Sequence, residues 1–181
     1  MKKYFKLNLN FKVFDTLEYI LIPIIFFLFL NTIPSSFSSE KEIILDKSFN
    51  NYNLGKSIYF YEDKSNSLKL KDFIKEESKT LERFNLSSQK ILNFGYSKST
   101  FWFKINLNHK KSLNSSWVLS VEYLTLDFVT FYRLENEKWN EYEMGDQVQF
   151  GNRKVNQREY ILEVKPTKKK ETIYIKIKTD G

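Results

Sequence analysis

From Ser99 onward the sequence alternates without a break. Phe101, Phe103, Ile105 and Leu107 fall on one side, and Thr100, Trp102, Lys104 and Asn106 on the other. That is the period of a half-buried β-strand. A strand with so apolar a face needs a second layer to cover it, so the chain must build at least two layers around it. Gly95 stands in the turn before the strand and can take a positive φ at little cost. The opposite face carries a tryptophan among polar groups, and function is to be sought there.

The rest of the chain supplies partners of the same kind. Ile58 and Phe60 alternate with Tyr59 and Tyr61, and Trp117, Leu119, Val121 and Tyr123 alternate with Val118, Ser120 and Glu122. Leu126 to Leu134 is rich in β-branched and aromatic residues, and Glu135 to Lys138 turns it into a hairpin with Trp139 to Tyr142. Gln147 to Phe150 alternates briefly. Tyr160, Leu162 and Val164 mark another strand. In the last one Ile173, Ile175 and Ile177 oppose Tyr174, Lys176 and Lys178. One short amphipathic helix is expected within 68–77, where Leu70, Phe73 and Ile74 share a face; it would plug one end of the fold. Short strands at close spacing predict an all-β, antiparallel β-sandwich or barrel rather than a parallel sheet.

The first residues are of another kind. Lys2, Lys3, Lys6 and Lys12 precede an uncharged apolar run, Tyr19 to Leu30, followed by Pro34 and several serines. The run is short for a bilayer span of roughly 20 residues and suits the apolar core of a secretory signal. Residues 1–38 are therefore expected to be a signal peptide, with Ser36 and Ser38 at the small-residue positions, or an uncleaved signal anchor. Residues 39–53 form a lead-in and 54–181 the exported domain. About 140 exported residues can bury a core without disulfides.

Composition narrows the chemistry. The chain has no cysteine and one histidine, which removes disulfides, thiolate catalysis, cysteine-bound zinc and a second histidine for a catalytic triad. His109, in Asn108-His109-Lys110-Lys111, reads as an exposed loop residue. The net charge of +7 comes from scattered lysines, and the one dense run, Lys168 to Lys170, reads as a solvated turn. Nucleic acid is not an expected partner. No carboxylate pair or metal-ligand spacing stands out, so neither enzymatic activity nor a cofactor is expected.

Gly95-Tyr96-Ser97, then Phe101-Trp102-Phe103-Lys104 and Leu107-Asn108, stand in order with Trp117-Val118-Leu119, Leu126-Asp127, Phe131-Tyr132, Gly145-Asp146, Phe150, Arg153, Tyr174-Ile175-Lys176 and Gly181. This set resembles the second type of extracellular domain of bacterial seven-transmembrane receptors with diverse intracellular signalling modules. The resemblance covers about residues 54–181. Lys104 stands where arginine is more usual in that family, and the match before Gly95 is loose. The resemblance implies a jelly-roll sandwich similar to carbohydrate-binding modules, exported across the bacterial inner membrane to its periplasmic side or free in the periplasm, and acting as an extracytoplasmic ligand sensor. Such receptors continue into seven apolar helices and a cytoplasmic output module. The chain is accordingly expected to be a truncated receptor, a fragment, or a stand-alone sensory, carbohydrate-binding or adhesion module.

The residues singled out for a ligand, small or carbohydrate-like, are Trp102, Lys104, Arg153, Tyr174 and Lys176. An indole on a polar sheet face can stack on a sugar; alternatively, Trp102 packs beneath a loop. Lys104, Tyr174 and Lys176 would extend the patch if their strands lie side by side. Arg153 either joins it or pairs with Asp146. Trp117 is expected in the core and Trp139 over an edge. A homodimer through sandwich edges is a further expectation.

Overall fold

The computed structural model describes residues 40–75, 83–111, 114–123, 125–148 and 160–179. The strand that begins the alternation is β4, Thr100–Lys111, the longest of the described strands. Ahead of it come β1 (Ile43–Asp46), β2 (Tyr59–Asp63), a one-turn helix α1 (Lys71–Ile74) and the two-residue β3 (Asn85–Leu86). After it come β5 (Trp117–Val121), β6 (Phe128–Glu135), β7 (Lys138–Met144), β8 (Tyr160–Val164) and β9 (Lys170–Lys178). One sheet runs β3-β2-β4-β9-β6-β7, with β1 also joined to β4; a second holds β5 and β8. The main core fills the space between them: Phe103, Ile105, Leu107, Val129, Phe131, Ile173 and Ile175 from the large sheet meet Leu119, Tyr160, Leu162 and Val164 from the small one. The chain is an all-β sandwich, and the apolar face of β4 is its centre.

Two features depart from the sequence reading. Among the described strands the pairs are antiparallel except one: β1 runs parallel to β4, with Ile43 opposite Leu107. Thus the lead-in residues belong to the sheet, and the compact unit begins at Glu40. The second departure is His109. It lies within β4 and is wholly buried, because β4 runs on through the turn expected there, and the His109 N–H donates to the Lys169 carbonyl. The α1 residues fall inside the predicted helix; the remainder of that prediction lies partly outside the described residues, as do Gln149 and Phe150 of the brief alternation.

Turns follow from their residues. The β6–β7 hairpin is a two-residue loop with Asn136 and Glu137 both at positive φ, 50° and 64°, the primed geometry that matches strand twist. Gly95 has φ 64°, as expected. Gly145, at φ 131°, presses on the chain so closely that a Cβ there would lie 2.1 Å from the Asp127 carbonyl oxygen. Asp146 and Gln147 then donate their N–H groups to the Leu126 and Asp127 carbonyls, and the Tyr160 hydroxyl donates to the Asp146 carboxylate and lies 3.0 Å from the Leu126 oxygen. Gly145→Ala is expected to cost about 1–3 kcal/mol for the backbone conformation alone. A urea titration giving a loss under about 0.5 kcal/mol would show that the contact yields easily.

Candidate functional site

The large sheet has a second face, turned away from the small sheet, and its rows can be read from the register. Trp102 pairs with Lys176, Lys104 with Tyr174, Asn106 with Thr172 and Asn108 with Lys170. Tyr132 lies beside Tyr174 and Thr130 beside Lys176. The strands therefore do bring Trp102, Lys104, Tyr174 and Lys176 together, as the patch required.

That patch is covered. Trp102 is 0% exposed, Lys104 2% and Tyr174 3%. The connection from β2 to β4 crosses this face and lays Leu70, Phe73 and Phe84 on it, forming a second apolar cluster with Trp102, Tyr132 and Tyr174. The Trp102 ring lies 4.9 Å from Phe73 and 5.6 Å from Tyr132, nearly parallel to the latter, with Lys176 Nζ 5.6 Å from its centroid. In this arrangement Trp102 offers no free ring to a sugar; it takes the packed role. Burial and the charges of Glu141 and Glu143 push the Tyr132 hydroxyl up to about 12. Arg153, and with it any pairing to Asp146, lies outside the described residues.

Farther along the same face the described residues leave a groove of about 340 Å³. Its lining includes Asn106 and Thr172, Leu134, Trp139, Lys168 and Lys170. Trp139 is half-buried and meets Tyr174 edge-on at 5.7 Å. Across from it runs the strap before β1. Lys104 Nζ lies 2.5 Å from Glu40 Oε1 and the Asn106 amide also donates to Glu40. Asn108 Nδ2 and Lys170 Nζ donate to Glu42 at 2.8 and 2.5 Å. Those two bonds hold the Glu42 carboxyl below the usual glutamate value. The groove thus combines an indole, amides, a hydroxyl, carboxylates and lysines around an open space.

The last groove residue, Glu171, reaches into the sandwich interior as well. Arg133 Nε donates to its Oε2 at 2.8 Å, and His109 Nε2 lies 2.6 Å from its Oε1. Arg133 also donates to Glu135 and to the Lys165 carbonyl, while Asn140 and Tyr142 donate to Glu135. Burial pushes the Glu171 carboxyl up, but the bonds from His109 and Arg133 and the Arg133 charge outweigh it and hold it below the usual value. An ionised carboxylate only accepts, so the shared proton belongs to His109 Nε2. His109 Nδ1 is buried without a protein partner among the described residues.

The patch expected from the sequence and the groove share one face of the large sheet, but the patch lies a row too early to be open. The alternation pattern assigns Trp139 to an edge and Lys170 to a turn, and it does not single out Glu40, Glu42 or Asn106. A signal existed for the acids: Glu40 and Glu42 alternate with Ile43 and Leu45 across the two sides of an extended chain. The intervening Ile44 masks it. For Trp139 the deciding fact is a neighbour across the sheet, which no local pattern contains.

Residues 55–181 match the family model described as 7TMR-DISM extracellular 2. No curated protein matches the chain.

Proposed function

The chain belongs to the 7TMR-DISM extracellular 2 family, and on that premise we propose that its sandwich is a non-enzymatic extracytoplasmic sensory domain whose groove beside Trp139 binds a small, hydroxyl-rich, carbohydrate-like ligand. The observation that carries this reading is the groove's lining. Trp139 is a half-buried aromatic suited to stacking on a sugar ring, and its indole N–H has no protein acceptor among the described residues. Asn106, Thr172 and the two lysines supply hydrogen-bonding groups to its lining. A pocket with one aromatic wall and a few convergent polar groups is the usual form of a small-ligand site. Lys104 and Tyr174 support the floor from the next row. Residues 1–38 would deliver the domain across the inner membrane, and ligand occupancy would pass to membrane helices of a receptor.

Titration of the full chain with a panel of neutral and acidic oligosaccharides by calorimetry tests this. At least one should bind, and Trp139→Ala should weaken that binding tenfold or more, about 1.4 kcal/mol, with little loss of stability. Equal binding by Trp139→Ala and the parent chain would place the ligand elsewhere.

A further inference from the structure

The donors along the outer edge of β4 and β9 form a set that the fold has oriented in advance. Asn106 and Asn108 could each turn either end of the amide outward. The Lys110 N–H donates to Asn108 Oδ1 and so fixes that amide with its NH₂ toward the strap; the Asn106 amide takes the same sense, its NH₂ donating to Glu40 and its Oδ1 accepting from the Thr172 hydroxyl. Lys104, buried to 2%, aims its ammonium the same way, and Lys170 closes the far end. These four donors are met by the two carboxylates of the chain's own residues Glu40 and Glu42. Residues two apart on an extended chain are about 6.7 Å apart. The ends of an extended six-carbon diacid are separated by nearly the same distance.

We infer that Lys104, Asn106, Asn108 and Lys170 form a dicarboxylate-binding row which the Glu40–Glu42 strap occupies as an internal ligand, and that the groove takes a carboxylated, sugar-acid type of ligand whose two carboxylates displace the strap. This deepens the groove reading above and rests on it. Displacement moves the stretch that joins β1 to the N-terminal residues, so ligand binding and strap release are one event. Among the described residues the strap's other ties are light: the Lys41 N–H donates to the Tyr59 hydroxyl at 2.7 Å and Lys41 Nζ to the Lys56 carbonyl. The β1 ladder itself begins only at Ile43. The strap acts as a competitor, and the apparent affinity of the row is lowered in proportion to the fraction of molecules in which it is open.

Three probes on one carbon skeleton test the inference with the full chain: glucarate, which has both carboxylates and hydroxyls; sorbitol, with hydroxyls only; and adipate, with carboxylates only. Binding is followed by calorimetry, and strap position by hydrogen exchange at the amides of Lys41 and Glu42. Glucarate should bind more tightly than sorbitol and speed exchange at Lys41 at least tenfold. The Glu40→Gln, Glu42→Gln double variant should bind glucarate at least tenfold more tightly than the parent. If sorbitol binds as well as glucarate and exchange at Lys41 slows or stays constant, the groove reading stands and the inference is wrong. If none of the three binds, the inference also fails, and the oligosaccharide panel then decides the groove reading alone. Should the double variant fold poorly, the exchange measurement on the parent chain still decides the matter.

Discussion

Trp102→Ala is expected to destabilise the domain by about 3–5 kcal/mol, the range for deleting a fully buried large aromatic. The indole is 0% exposed and touches residues from separate parts of the chain: Phe73 of α1 and Tyr132 of β6. Its removal leaves a cavity beneath α1 that a four-residue helix cannot close by shifting as a rigid unit. Urea denaturation at neutral pH measures the loss. A cost within about 0.5 kcal/mol, typical of a surface substitution, would return Trp102 to the role of a ligand platform. Trp139→Ala is the control on the same face. It should affect binding far more than stability.

The second large effect is expected at Arg133. This guanidinium is 4% exposed and joins Glu171, Glu135 and the Lys165 carbonyl. Arg133→Met keeps much of the side-chain volume but leaves the largely buried Glu171 carboxylate without its cation, and breaking such a pair from one side costs about 3–5 kcal/mol. The pH dependence gives an independent check. In the parent chain the Glu171 carboxyl titrates below its ordinary value of 4.5. The unfolded state therefore binds its proton first as pH falls, and the stability from this group is complete above about pH 4.5 and lost through the lower, folded-state value. In Arg133→Met the His109 bond still favours the Glu171 carboxylate, but the bond and charge of the guanidinium are gone, so the folded state takes up the proton at a higher pH than in the parent. The gap between variant and parent should narrow as pH falls from 7 toward 4. Adding Glu171→Gln to Arg133→Met should recover part of the loss at pH 7. A gap that is constant with pH and unrelieved by Glu171→Gln would mean that Arg133 acts through packing alone.

Both effects arise where polar-looking positions of strands are buried. The alternation of β4 and β9 was legible because period-2 patterning needs only neighbours in sequence. It correctly divided each strand into two faces. It also implied that the polar face met solvent or ligand, and here the β2–β4 connection intervenes. The spacing of Leu70, Phe73 and Ile74 suggests a plug at one end of the sandwich; Leu70 and Phe73 instead join Phe84 in capping the back of the large sheet over Trp102. His109 went the same way. Its polar neighbours signalled a loop, yet Glu171 and Arg133, distant in sequence and adjacent in the sheets, provide the partner that allows a histidine to be buried.

By itself the sequence determined the class of fold, the central strand with its core face, the hairpin and glycine turns, and the family, since each is written in local periodicity, turn chemistry or an ordered motif set. Only the tertiary structure decided which side of the large sheet is sealed and where it stays open. That choice depends on how a connecting segment crosses the sheet and on which charges from separate strands meet: Glu40 with Lys104, Glu42 with Lys170, Glu171 with Arg133 and His109. These are contacts between residues dozens of positions apart. They moved the candidate site from the Trp102 row, buried by packing, to the Asn106–Trp139 row, where the described residues leave the groove.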